Sequence, residues 1–193
     1  MIPAITTKMN GRMYRSLLEA KWATFFHGCG WNFEYEPFET NGWIPDFLIR
    51  GKENLLVEIK PFTKLEEFSS QIKKIEKGLW GHPYWDVELL LIGVSPYIGQ
   101  HDSSNIGWLL ENPYETEFCG AEIKDIHPAE RKIQSGAALV INEGKMGIAS
   151  DLMSYRDRIT GFYEGNLNSP PFHKVMEIWN ECCNKVQWNR IDR

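Results

Sequence analysis

The chain has 193 residues, 42% of them hydrophobic and 24% charged, with a formal net charge of −5. That length and balance suit a single domain, residues 1–193, able to bury its own core. The acidic balance argues against a protein that coats nucleic acid non-specifically, since such affinity comes from Lys and Arg neutralising phosphates.

The longest apolar run, Val87 to Val94, is interrupted by Glu88 and is too short to span a bilayer. The first residues lack the apolar stretch of a signal peptide, so a cytoplasmic protein without a membrane partner is expected. Cys29, Cys119, Cys182 and Cys183 show no C-x-x-C spacing, which indicates neither a zinc ribbon nor a disulfide framework. His27, His82, His101, His127 and His173 show no metal-ligand spacing either.

In chain order, residues 13–27 place Leu18, Trp22, Phe25 and Phe26 on one helical face, with Met13, Leu17 and Ala20 alongside and Gly28 and Gly30 as the stop. Trp31 to Tyr35 alternates as a first strand, limited by Pro37. Trp43–Arg50 and Leu55–Phe62 read as strands two and three, joined by a short turn at Gly51-Lys52-Glu53. Thr63 is the expected N-cap of a second helix carrying Leu65, Phe68, Ile72, Ile75 and Leu79, broken by Gly78 and Gly81. Val87–Val94 then reads as a strand buried on both faces.

Beyond residue 95 the pattern weakens to strand-like pieces at Ile106–Glu111, Glu115–Lys124, Ala137–Asn142 and Lys145–Ala149, with a turn at Asn142-Glu143-Gly144. Residues 151–169 carry no clear pattern. Ser169-Pro170-Pro171 opens a final amphipathic helix on Phe172, Val175, Met176, Trp179, Cys182, Cys183 and Val186. The expected class is α/β: a mixed sheet flanked by helices in residues 12–95, then a strand-rich extension over residues 96–193 packed on that core.

Asp46 and Glu58 carry the functional argument, because a carboxylate inside an otherwise apolar strand needs a reason to be there. With the turn centred on Lys52, Asp46 falls opposite Glu58, with Cβ atoms roughly 4.5–5.5 Å apart. Two such charges repel unless a positive group sits between them. A divalent cation with hard oxygen ligands, Mg²⁺ or Mn²⁺, suits that position. Lys60, two residues past Glu58, shares its face and is placed to orient or deprotonate an attacking water. Glu19 lies on the helix stripe Arg15, Glu19, Trp22, Ala23, Phe26 and reaches toward the same place. Its other readings are an ion pair with Arg15 or a capping box begun by Ser16.

Ile44-Pro45-Asp46, Val57-Glu58-Ile59-Lys60 and the upstream Arg15-Ser16-Leu17-Leu18-Glu19-Ala20 together resemble the PD-(D/E)XK nuclease superfamily. That resemblance covers residues 12 to about 95 and implies an αβββαβ, restriction-endonuclease-like core. It implies Mg²⁺, with Mn²⁺ able to substitute, held by Asp46, Glu58 and the Ile59 backbone carbonyl with help from Glu19, and Lys60 acting on water. The related RecB-like exonucleases place Gln and Tyr four residues apart on the following helix, whereas Gln71 here is followed by Ile75. An endonuclease is therefore expected.

DNA is the expected partner, with RNA still open, and the reading leaves room for a homodimer. Lys64, Lys73, Lys74 and Arg15 are the candidate nucleic-acid contacts; for the lysines, a solvated helix face is the alternative. Tyr84, Trp85, Tyr97, Trp108 and Tyr114 have faces suited to stacking on bases but are more commonly core residues, so none is assigned. The competing functions are an inactive nuclease-fold module that binds nucleic acid or a protein, and a hydrolase acting on a nucleotide or an RNA rather than DNA.

Overall fold

A computed structural model of the chain describes residues 6–84, 86–110, 133–152, 156–162 and 168–188. The chain begins with a hairpin, β1 (Thr7–Met9) and β2 (Arg12–Tyr14), turned by Asn10 and Gly11. Both turn residues have positive φ, 48° and 79°, as a two-residue turn matching strand twist requires. The helix expected from residue 13 is corrected here: Met13 lies in β2, and α1 spans Leu17–Gly28. The Asn-Gly pair is the turn signal that displaces it.

Ser16 caps α1, its Oγ accepting the Glu19 N–H at 3.1 Å. Next come β3 (Asn32–Tyr35), β4 (Phe47–Arg50) and β5 (Leu55–Ile59). The β4–β5 register pairs Phe47 with Val57, Leu48 with Leu56 and Ile49 with Leu55, as a turn centred on Lys52 demands. β4 starts later than expected because Trp43 instead bridges Thr40. β5 stops at Ile59, though Lys60 N–H still bonds Ile92 O at 3.0 Å.

A short 3-10 turn at Leu65–Phe68 leads into α2 (Ser69–Leu79). Thr63 is not its cap. The capping oxygen belongs to Glu67, which accepts from the N–H groups of Thr63 and Lys64 at 2.8 and 2.9 Å. Nor does Gly78 break α2. The helix runs through it because a Cβ there would lie 2.9 Å from Trp43 Cβ, so glycine lets the 40–43 loop approach.

The chain continues through β6 (Glu88–Ile92), β7 (Tyr97–Ile98), β8 (Ser104–Leu110), β9 (Ile133–Asn142), β10 (Lys145–Ser150) and α3 (Phe172–Trp188). The expected strand at 115–124 lies outside the described residues, as do Trp85, Tyr114, Cys119 and His127. The main sheet runs β10-β9-β8-β6-β5-β4-β3, with β7 also on β8. β5 and β6 are parallel and the other pairs antiparallel, so the sheet is mixed. Residues beyond 95 thus extend the same sheet.

Helices cover both faces. Phe47, Ile49, Leu55, Val57, Leu90 and Ile92 pack with Trp22, Phe25 and Phe26 of α1 and Val175 and Trp179 of α3. Leu48, Leu56, Leu89 and Leu91 pack with Phe68, Ile75 and Leu79 on the other face. Strands buried on both faces read as near-continuous apolar runs, which is why alternation fades there. Among the described residues no helix is long and apolar enough to cross a membrane.

Glu88, the interruption in the apolar run, meets Arg158 in a buried bidentate pair at 2.7 and 3.0 Å. The same segment accepts the N–H groups of Lys52 and Glu53 through Ile159 O and Arg158 O at 3.1 and 2.9 Å. It therefore ties the extension to the β4–β5 turn. Glu88→Ala should destabilise the protein by about 3–5 kcal/mol by removing the carboxylate that holds the buried Arg158 guanidinium, and Glu88→Leu with Arg158→Met should recover most of that loss. Urea unfolding of the three proteins measures both effects.

Candidate active site

At the ends of β4 and β5 three carboxylate-bearing residues, Glu19, Asp46 and Glu58, are all buried. Leu48 and Leu56 face α2, so alternation puts Glu58 and Lys60 on that side as well. Asp46 stands one residue before β4. Its N–H donates to Val57 O at 3.0 Å, and its Oδ2 accepts the Ile59 N–H at 2.7 Å.

Lys60 joins the two central acids. Its Nζ lies 2.6 Å from Glu58 Oε1, 3.4 Å from Asp46 Oδ2 and 3.0 Å from Ile59 O. Two carboxylates and one backbone carbonyl thus surround a single ammonium, a set of hard oxygens of the kind that binds Mg²⁺ or Mn²⁺. The ammonium stands where the repulsion argument requires a positive charge. Among the described residues, no group of three or more His, Cys, Asp or Glu side chains gathers closely enough to hold a metal on side chains alone. The third donor of this set is the Ile59 carbonyl.

Burial, then the Glu58 carboxylate, pushes the Asp46 pKa up to about 7, against the pull of Lys60 and the Ile59 N–H. For Lys60, burial acts to lower the pKa, but Asp46 and Glu58 together raise it above its ordinary value. The ammonium is therefore charged at neutral pH.

The second oxygens of both acids are occupied. Trp43 Nε1–H donates to Glu58 Oε2 at 3.0 Å, and Arg15 reaches Asp46 Oδ1 at 3.2 Å while also pairing with Glu36. Glu19 is held apart from this group. Ser16 Oγ–H donates to its Oε1 at 2.8 Å and Tyr35 O–H to its Oε2 at 2.6 Å. The Tyr35 oxygen in turn accepts the Arg15 N–H at 2.8 Å, so Glu19 connects to Asp46 through Tyr35 and Arg15. Both helix-end partnership with Ser16 and burial beside the site hold for Glu19; an ion pair with Arg15 is not formed.

Lys64, just before the 3-10 turn, and Lys73 and Lys74 on α2 are exposed. Tyr84 stacks on Phe38 and Tyr97 on Trp108, with ring centroids 5.2 and 5.1 Å apart. Sequence reasoning missed Trp43, Glu36 and the role of Tyr35. An indole three residues from Asp46 has no spacing signature, but Tyr35 shares its strand face with Phe33, toward α1, which was a readable cue. A groove of about 680 Å³ lined by Cys29, Trp31, Lys52, Lys145 and Met146, among others, opens elsewhere and shares no residue with this site.

The chain matches no family model, no curated protein and no solved structure.

Because the native pKa of Asp46 is raised, its protonated form favours folding; that stability is present below about pH 4 and is lost as pH rises through about 7. Asp46→Asn is neutral throughout, so its stability relative to wild type should increase from pH 5 to pH 8 by at least about 1.4 kcal/mol, the equivalent of one pKa unit, in metal-free denaturant melts. Gly78→Ala should lower the melting temperature although alanine is favoured in helices by about 1 kcal/mol, because it displaces Trp43. Trp43→Phe should cost about 1–3 kcal/mol for the donor lost to buried Glu58, and a double-mutant cycle should show the two changes coupled.

Proposed function

We propose that the chain is a metal-dependent nuclease of the PD-(D/E)XK type, with a restriction-endonuclease-like core, that cuts phosphodiester bonds in DNA as an endonuclease. The observation that carries this reading is the set of three oxygens, from Asp46, Glu58 and the Ile59 carbonyl, gathered around the Lys60 ammonium. Those oxygens would hold Mg²⁺, with Mn²⁺ able to replace it and Glu19 assisting from α1. When bound, the ion supplies positive charge against the scissile phosphate and lowers the pKa of water.

The chain's own groups do the rest. Asp46 must be deprotonated to act as a ligand, which couples metal affinity to pH near neutrality. With those oxygens holding a cation, Lys60 would be displaced from the carboxylates. It could then orient the attacking water as an ammonium, or, after giving its own proton to solvent, take the proton of that water as an amine. Trp43 and the Ile59 N–H hold Glu58 and Asp46 in orientation from behind.

A second reading, an inert binding module, draws on the same ammonium, since Lys60 already offsets both acids without a metal. Thermal melts and cleavage assays on duplex DNA, single-stranded DNA and RNA, with and without Mg²⁺, separate the two. Mg²⁺ should raise the melting temperature of wild type, and raise that of Lys60→Ala more, because no ammonium competes. Lys60→Ala should also lose cleavage by about 10²–10⁴-fold, and Asp46→Asn should lose the metal-dependent stabilisation. If Mg²⁺ moves neither melting curve and no nucleic acid is cut, the inert module is the correct reading.

A further inference from the structure

The charge of this acidic chain is unevenly distributed. Residues 1–18 contain Lys8, Arg12 and Arg15 and no Asp or Glu; the first acid is Glu19. The β1–β2 hairpin turns these cations outward. Thr7, Met9 and Tyr14 are buried on the side that packs against α1; Lys8 and Met13 are paired and exposed on the opposite face, while Arg12, paired with Met9 on the α1-facing side, is exposed at the hairpin tip.

The hairpin is fixed beside the carboxylates. The Tyr14 ring lies 4.7 Å from Tyr35, the donor to Glu19, and 6.2 Å from Phe47, the neighbour of Asp46. Arg15, the residue after β2, reaches Asp46 itself and is 53% exposed on its other side. From Arg12 at the tip to Arg15 at the base the strand advances about 10 Å. Arg15 is bound to Glu36 and Asp46, but among the described residues Lys8 and Arg12 form no ion pair. The exposed lysines just before the 3-10 turn and on α2 differ, because Glu66, Glu67 and Glu76 are interspersed with them.

We infer that the β1–β2 hairpin grips the phosphate backbone of duplex DNA next to the catalytic carboxylates, with Lys8 and Arg12 as the phosphate contacts. This rests on the nuclease reading for the identity of the substrate. A two-stranded ribbon has the width that the major groove admits, and a cationic ribbon in an acidic protein concentrates attraction for phosphate at one place. Met13, 46% exposed, is the hairpin's exposed large apolar residue, too little to anchor the ribbon in a lipid surface. The hairpin thereby sets a duplex strand beside Asp46, with Arg15 between grip and site.

The test compares the full chain with Lys8→Gln/Arg12→Gln and, as a control, Lys73→Gln/Lys74→Gln. Binding of a fluorescent DNA duplex is followed by anisotropy in Ca²⁺ between about 50 and 200 mM salt, alongside thermal melts and Mn²⁺ titration. The hairpin variant should bind more weakly, with the slope of log affinity against log salt shallower by about two, one for each lost phosphate contact. The control should change less, and melting temperature and Mn²⁺ affinity should match wild type. A hairpin variant that binds the duplex with wild-type affinity and slope overturns the inference, as does a wild type that binds no duplex. Hairpin-dependent binding to phosphatidylserine vesicles in place of duplex also overturns it. A wild type that binds duplex through the hairpin but never cuts in Mg²⁺ leaves this inference standing and removes the nuclease reading. A wild type that cuts, with a hairpin variant that binds and cuts identically, removes the inference alone.

Discussion

Two buried carboxylates held on either side of one ammonium constrain everything near the β4–β5 strand ends. Asp46 and Glu58 lose most of their hydration on folding, and their mutual repulsion grows as water is removed. Lys60 offsets that repulsion from within hydrogen-bond reach of both. The Ile59 N–H shares Asp46 Oδ2 with Lys60, and the Trp43 indole and the Arg15 guanidinium take the remaining oxygens. Each of these donors comes from a different stretch of chain, so the charge problem of two residues dictates the placement of a loop, a helix start and a strand end.

The loop between β3 and β4 shows how that demand spreads. At one end Glu36 pairs with Arg15, and at the other Trp43 donates to Glu58. Between them the Thr40 hydroxyl and the Asn41 amide both donate to Gly78 O, 2.9 and 3.1 Å away, so α2 is pinned to the loop at the one helical position without a side chain. The extension acts at the opposite end of the same strands. Arg158 meets Glu88 where β6 begins, and the backbone of residues 158 and 159 receives the β4–β5 turn. Strands β4 and β5 are thereby held at both ends, which keeps their register and hence the spacing of Asp46 and Glu58.

Net charge conceals an arrangement that matters for any anionic partner. The carboxylates of the site are internally compensated and mostly buried, whereas the hairpin beside them exposes Lys8 and Arg12, which form no ion pair among the described residues. On the proposed nuclease reading, a field of that shape would draw phosphate to the rim of the site without requiring a basic protein. The buried acids and the exposed hairpin are joined through Arg15, which belongs to both.

Much of the local order was legible in the sequence because it depends on periodicity and turn chemistry alone. The helical stripe through Trp22 and Phe26, the turn at Gly51-Lys52-Glu53 with its register, and the final helix on Val175, Trp179 and Val186 all follow from residue spacing. So did the proximity of Asp46, Glu58 and Lys60, since a tight turn leaves two short strands almost no freedom in pairing. The Asn10-Gly11 hairpin was equally readable and was masked by the apolar residues that follow it. Tertiary structure decided what depends on distant chain. Gly78 remains helical because Trp43 approaches it, Glu88 is tolerated in an apolar strand because Arg158 arrives 70 residues later, and Glu19 turns to Ser16 and Tyr35 rather than Arg15. Whether a buried charge is matched by an ion, a lysine or an indole depends on which groups packing delivers within about 3 Å, and spacing along one chain does not encode that distance.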